Sequence, residues 1–242
     1  YSSAASDVYK RQVQAFPDAW HEYEAIEAEC EKAGRECDFK VIYGVEAYLV
    51  DDLKDMIVNP KGQHLNDRYV VFDLETTGFS AKSDKIIEIG AVKVENGKII
   101  DRFSTFVNPE IPIPFRIEKL TSINDEMVID APKIEEILPQ FMEFCKDSVM
   151  VAHNSDFDMS FIEANCKRQD LECDFTVIDT VAMSRYLIIG LGRYKLDNVA
   201  KALGIVLDHH HRAVDDAECT ALIFLKLCKM LEGKGIDNLD EL

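Results

Sequence analysis

The sequence predicts an α/β fold, a mixed five-stranded sheet with helices on both faces. Three observations lead there. A short apolar strand, Tyr69 to Leu74, precedes two longer strand-like runs, Ile86 to Glu95 and Lys98 to Val107. Those two runs flank Asn96-Gly97, the strongest short-range hairpin signal, because both residues accept the positive φ of a type I′ turn. Beyond Pro132, short apolar strands alternate with amphipathic stretches, as when helices carry the chain between parallel strands.

The elements follow in order. Tyr1 to Gln12 shows no apolar periodicity and reads as a translated, non-native scar over residues 1–12. Residues 13–55 form a first segment: Trp20 to Ala33, rich in Glu and Ala, predicts a helix stopped by Gly34, and Phe39 to Val50 predicts a buried strand turning at Gly44. The polar stretch from Asp51 to Asp67 carries Pro60-Lys61-Gly62 and reads as a linker, placed at residues 56–67. A second, self-consistent unit occupies residues 68–232, with a tail at 233–242. Within it Pro109, Pro112 and Pro114 break the chain into an extended loop. Helices are expected over Pro132–Lys146, Asp156–Arg168, Thr180–Ile189, Leu196–Leu203 and Ala213–Leu231, and strands at Ser148–Ala152 and Thr176–Ile178.

Apolar residues at 47% and charged residues at 30% exclude a disordered chain. A net charge of -18 is unusual for a protein that touches nucleic acid, where phosphates call for a basic surface. Either the chain avoids nucleic acid, or it grips a short end through metal ions while a larger partner holds the duplex. Seven cysteines without a C-x-x-C pair read as reduced thiols. The apolar runs are too short or too interrupted to span a bilayer, so no membrane partner and a cytoplasmic location are expected.

Chemistry concentrates in three places. Asp73 and Glu75 sit two apart at the end of the first strand, so they project from the same side. Two such carboxylates repel unless a cation lies between them, which suits magnesium or manganese. Gly78 then permits a turn close to a ligand. Alone, Asp-x-Glu is unremarkable in a chain with 45 acidic residues. Asp158 lies in the first turn of a helix that follows His153-Asn154. One reading makes it a dipole partner, but Asp156 already serves there, and Phe157 and Phe161 would partly desolvate a second carboxylate. The third place, HHHRAVDDA, offers His210 with Asp215 or His211 with Asp216. From Asp216, steps of three and four reach Thr220, Ile223, Leu227 and Met230, an apolar stripe; from Asp215 they reach Lys226 and Lys229. Asp216 therefore faces the sheet. Histidine, for its part, is suited to general-base work near neutral pH.

At these residues, DLETTG, HNSDFD and HRAVDDA, the chain resembles the DEDDh family of 3′-to-5′ exonucleases, whose fold is ribonuclease H-like. The resemblance covers about Arg68 to Leu231. It implies Asp73, Glu75, Asp158 and Asp216 as ligands of two divalent ions, Mg2+ or Mn2+, and His211 as the base that activates water. Tyrosine-bearing relatives carry their tyrosine where this chain has Arg212, which indicates the histidine subtype. By the same resemblance Thr76, Thr77 and Asn154 would contact the substrate, and Leu120 and Ile123 would press on the terminal base. The upstream segment resembles part of the polymerase and histidinol phosphatase (PHP) domain of PolC-type replicative polymerases. Glu46 there matches one ligand position of that domain, while its other ligands are absent.

The expected function is proofreading, removal of the 3′-terminal nucleotide of DNA as a 5′-monophosphate. The expected partners are a single-stranded or frayed DNA 3′ end, the remainder of a polymerase chain and a sliding clamp. An RNA exonuclease of the same family and a non-catalytic module that docks onto a polymerase are the competing readings.

Overall fold

The computed structural model describes residues 15–37, 40–41, 56–206 and 212–239. The chain divides into two compact units, Tyr1–Leu53 and Lys54–Leu242. In the first, helix α1 spans Ala15–Lys32 and is followed by Gly34 at φ 63°. It begins five residues before the expected Trp20. Apart from Lys40 and Val41, the strand expected at Phe39 to Val50 lies outside the described residues, as do Glu46 and the scar at 1–12.

The second unit carries strands β1 (Ile57–Val58), β2 (Tyr69–Thr76), β3 (Ile86–Glu95), β4 (Lys98–Phe106), β5 (Val149–Ala152) and β6 (Val177–Asp179). Its helices are α2 (Phe115–Thr121), α3 (Asp125–Val128), α4 (Ile134–Cys145), α5 (Ser155–Gln169), α6 (Thr180–Leu187), α7 (Leu196–Ala202) and α8 (Ala213–Glu232). One sheet results, in the order β1-β6-β5-β2-β3-β4. The β2-β3-β4 meander is antiparallel, and β5 and β6 run parallel to β2. At the β3-β4 turn Asn96 and Gly97 both have positive φ, 51° and 73°, as a type I′ hairpin requires.

The sheet has six strands rather than five. Ile57 and Val58, inside the segment expected to be a linker, pair antiparallel with Ile178 and Val177. A two-residue strand has no periodicity to read, and Pro60-Lys61-Gly62 dominates the local signal. Its pairing covers the edge that β6 would otherwise leave open. The residues expected as a tail also join the fold: Leu239 is buried, its N–H bonds to the Gln63 carbonyl, and His64 bridges to Asn238. Between β4 and α4, the expected extended loop instead winds into α2 and α3. Ile117 of α2, Val128 of α3 and Ile123 between them bury against Ile87 and Ile113 as a small separate core.

Strand alternation divides the two main cores. Tyr69 and Val71 point to the face covered by α8, where they meet Ile223, Phe224 and Leu227. Val70, Phe72 and Leu74 point to the other face, against Phe141 of α4 and Phe161 and Ile162 of α5. Burying each such side chain stabilises by roughly 1.5–3 kcal/mol. Asp73 and Glu75 continue the odd-numbered series, so their positions in β2 fall on the α8 face.

Candidate active site

Three elements bring the carboxylates together. β2 supplies Asp73 and Glu75, α8 supplies Asp216 from its first turn, and α5 supplies Asp158 from its first turn. Oxygen atoms of Asp73, Glu75 and Asp216 lie within 4.8 Å of one another. The Asp158 carboxylate accepts a hydrogen bond from the backbone N–H of Leu74, between the two acids of β2, at 3.2 Å. This fixes it against the same strand from the opposite layer.

Electrostatics show how strongly these acids act on one another. Burial first, then Asp158, Glu75, Asp216 and Glu88, push the Asp73 carboxyl well above the usual range. Burial, with Asp216 and Glu88, raises Glu75 to about 7. Burial, with Glu75 and Asp179, raises Asp158 to about 8, although its backbone hydrogen bonds oppose the shift. Acids this close hold protons near neutral pH unless a cation replaces them. An all-oxygen donor set of closely spaced carboxylates fits a hard divalent ion.

Two residues that the sequence reading passed over build this geometry. Gly90 on β3 is the register partner of Asp73. A Cβ there would overlap the backbone of Ala213 and Val214, so only glycine lets the first turn of α8 come this close to the sheet. Glu88, two residues earlier and opposite Glu75, is fully buried. Its Oε1 accepts from Arg212 Nε and Nη2 at 2.9 and 2.7 Å, and its Oε2 accepts from the Ala213 N–H at 3.2 Å. A strand carboxylate thus caps the helix that carries Asp216, while the Arg212 guanidinium sits 4.8 Å over the Phe106 ring. The pattern Ile-Ile-Glu-Ile-Gly was legible as strand. A buried charge at its centre was the signal that it carried more.

The remaining expected residues divide. His211 lies outside the described residues. Thr76 and Thr77 are buried with their hydroxyls used in the turn: Thr76 donates to the Gly78 carbonyl at 2.6 Å, and Thr77 accepts from the Lys85 N–H at 2.9 Å. Asn154 is exposed at the N-cap of α5 in a left-handed conformation, φ 73°, its N–H held by Asp179 at 3.0 Å. Leu120 is 53% exposed, whereas Ile123 is wholly inside the small α2-α3 core and offers a base no surface. Phe79, directly after the DLETTG turn, is 73% exposed with its ring 6.3 Å from that of Phe157. No sequence signal had marked it.

With this geometry in view, comparison with known proteins is decisive. The family model described as exonuclease matches residues 70–224, from β2 into α8. The chain belongs to the exonuclease family. Among curated relatives, "DNA polymerase III PolC-type" of Caldanaerobacter subterraneus subsp. tengcongensis is 49% identical over 230 residues, 95% of this chain and 16% of the relative. The protein of the same name from Clostridium perfringens is 48% identical over 233 residues, 95% of this chain and 15% of the relative. The exonuclease chain therefore spans about one-sixth of the length of the polymerases it matches. Among solved structures, Exonuclease X in complex with 5′ overhanging duplex DNA matches at TM-score 0.54 and 29% identity, over 69% of this chain and 93% of that one. The nuclease domain of 3′hExo, a DEDDh family member, bound to rAMP, matches at TM-score 0.60 and 21% identity, over 68% of this chain and 93% of that one. That likeness shows the fold, the one expected of a ribonuclease H-like exonuclease. No helix among the described residues is long and apolar enough to cross a membrane.

Proposed function

We propose that this chain is the proofreading 3′–5′ exonuclease segment of a PolC-type DNA polymerase III, removing the 3′-terminal nucleotide of DNA as a 5′-monophosphate. The observation that carries the reading is the meeting of Asp73, Glu75 and Asp216 at one sheet end, with Asp158 bonded between the first two. The PolC-type relatives supply the replicative setting, and Exonuclease X supplies a relative whose structure contains DNA.

On this reading Asp73, Glu75, Asp158 and Asp216 hold two divalent ions, Mg2+ or Mn2+. Bound there, the ions would supply Lewis acidity to the attacking and leaving oxygens of an in-line displacement. His211 takes the proton from the attacking water; an imidazole can do so near neutral pH without a shifted pKa. Exposed Leu120 presses on the terminal base, and Asn154, at the rim beside Asp158, contacts the strand. Thr76 and Thr77 act through the shape of their turn, whose backbone approaches the sugar and phosphate. A frayed or mismatched end is preferred, because a paired end must first be unstacked at about a few kcal/mol. The remainder of the polymerase and a sliding clamp hold the duplex, which reconciles DNA chemistry with a net charge of -18.

The test is digestion of a 3′-mismatched DNA primer with and without Mg2+, beside the His211→Ala variant and a sequence-matched RNA strand. Mismatch-favouring, Mg2+-dependent release of deoxynucleoside 5′-monophosphates, lost in the variant, is expected. Preference for the RNA would overturn the DNA assignment, and no metal-dependent release from either strand would overturn the nuclease assignment.

A further inference from the structure

The structure holds a cleft of about 510 Å³ whose lining includes Asn154, Val181, Arg185, Arg193, Tyr194 and Lys195. Its position follows from strand direction. β5 and β6 run parallel to β2, and Ala152 is the register partner of Asp179 at their C-terminal ends. Asn154 and Val181 come directly after those ends, just as Asp73 and Glu75 sit at the C-terminal end of β2. Cleft and carboxylates therefore open on the same edge of the sheet, the edge where α/β folds take their ligands. Asn154, the N-cap of α5, is also four residues before Asp158, about 6 Å of rise along a helix. That is the scale of one to two nucleotides along a strand.

The charge of the cleft opposes that of the chain. Against a net charge of -18, its ionised lining side chains are Arg185, Arg193 and Lys195, all exposed and all cationic. Neither Arg193 nor Lys195 enters an ion pair among the described residues. Of the nearby acids, Asp179 is buried and accepts the N–H groups of Asn154 and Val181, while Asp197, exposed on α7, acts electrostatically on His153 in the cleft wall.

The wall is also held in place before any ligand arrives. His153 joins the end of β5 to the loop before α7, with Nε2 2.9 Å from the Tyr194 carbonyl and Nδ1 2.9 Å from the Thr180 hydroxyl. The Tyr194 hydroxyl donates back to the Ile188 carbonyl at 2.7 Å, and the Arg185 guanidinium lies 5.8 Å over the Tyr194 ring. Exposed cations flanking an apolar wall of Val181 and Tyr194 match a polyanion that carries sugars and bases.

We propose that this cleft binds the phosphodiester backbone of the strand being degraded, one or more nucleotides upstream of the terminal one, with Arg193 and Lys195 as phosphate contacts. This rests on the exonuclease reading above and adds a second contact zone to it. The zone keeps the strand in place while its end is cut, which the carboxylate site alone does not do.

The experiment compares Arg193→Ala/Lys195→Ala with the parent chain on two substrates. One is an oligothymidylate of ten nucleotides; the other is the p-nitrophenyl ester of thymidine 5′-monophosphate, which has no upstream strand. The double variant is expected to raise KM on the oligomer roughly 25-fold at 0.1 M salt, two contacts at about 0.7 log unit each. The penalty is confined to the longer substrate, and inhibition by thymidine 5′-monophosphate stays in step with the parent. Equal changes on both substrates, or an unchanged KM on the oligomer, would overturn the proposal, as would a matching loss of inhibition by the mononucleotide, which would mark a product pocket. If the parent hydrolyses neither substrate, the nuclease reading fails instead. Fluorescence anisotropy of the labelled oligomer in EDTA then still decides the cleft: weaker binding by the variant supports it, equal binding rejects it.

Discussion

Replacing Arg212 by alanine tests whether its ion pair with buried Glu88 holds α8 in place. Glu88 has no solvent exposure, and two of its three hydrogen bonds come from the Arg212 guanidinium. The variant leaves that carboxylate with one backbone donor, facing Glu75 across the strand pair. Stranding one member of a buried pair costs about 3–5 kcal/mol. The Arg212 side chain is 43% exposed, so water can enter where it was, and the lower end, about 3 kcal/mol, is the expected loss. For a unit of this size about 1 kcal/mol moves Tm by about 2–4 °C, so thermal unfolding followed by circular dichroism should show a fall of about 6–12 °C. Adding Glu88→Gln, which removes the stranded charge, should restore more than half of it. A fall under about 3 °C, or no recovery in the double variant, would refute the account of Glu88 as a charge that depends on Arg212.

Other outcomes follow from the same geometry. Gly90→Ala should cost about 1–3 kcal/mol through overpacking against α8 and reduce nuclease activity at least tenfold, while far-ultraviolet dichroism keeps its shape; undiminished activity would show that α8 can shift without moving Asp216. Asp73→Ala should abolish nuclease activity yet leave the metal-free Tm equal or higher, because it removes a carboxylate from a self-repelling group. The pH dependence has a definite sign. Glu75 and Asp158 are raised to about 7 and about 8, while the unfolded chain releases both protons near pH 4. The stability these groups give is complete below about pH 4 and is lost as pH rises through about 8. Metal-free Tm should therefore fall across that window, and millimolar Mg2+ should raise Tm more at pH 8 than at pH 5; a larger gain at pH 5 would refute the assignment of these acids as ligands.

Most of the frame was legible because its signals are periodic. Asn96-Gly97 located the hairpin, and the stripe Thr220, Ile223, Leu227 favoured Asp216 over Asp215; those three residues are buried in α8. What escaped had no period. β1 is two residues long, and α2 and α3 are short turns of helix in a proline-rich stretch whose local chemistry favours extended chain. The site shows the same division. Its carboxylates announce themselves by type and spacing, but Gly90 and Glu88 matter through a helix more than 120 residues away, and Phe79 through its position beside the turn. Single-residue tertiary contacts leave no local trace.

The acidity of the chain and the anionic nature of its proposed substrate conflict only if charge is averaged over the surface. Locally the four carboxylates proposed as ligands carry four negative charges when ionised, and two divalent ions would offset all four. Without ions the cluster retains protons or repels a phosphate; with them it becomes the place where a phosphate can lie. The Arg212 guanidinium offsets part of the charge of Glu88 directly behind Glu75, although Glu88 still acts on both Asp73 and Glu75. The cleft of Arg193 and Lys195 lies at the same sheet edge, so the strand would meet positive charge on its approach and at its end, and negative charge elsewhere. On the proposed function, a surface arranged this way would hold a nucleic acid near its terminus, more tightly when metal is present, which is what an enzyme working beside a polymerase would require if it is not to compete for the duplex.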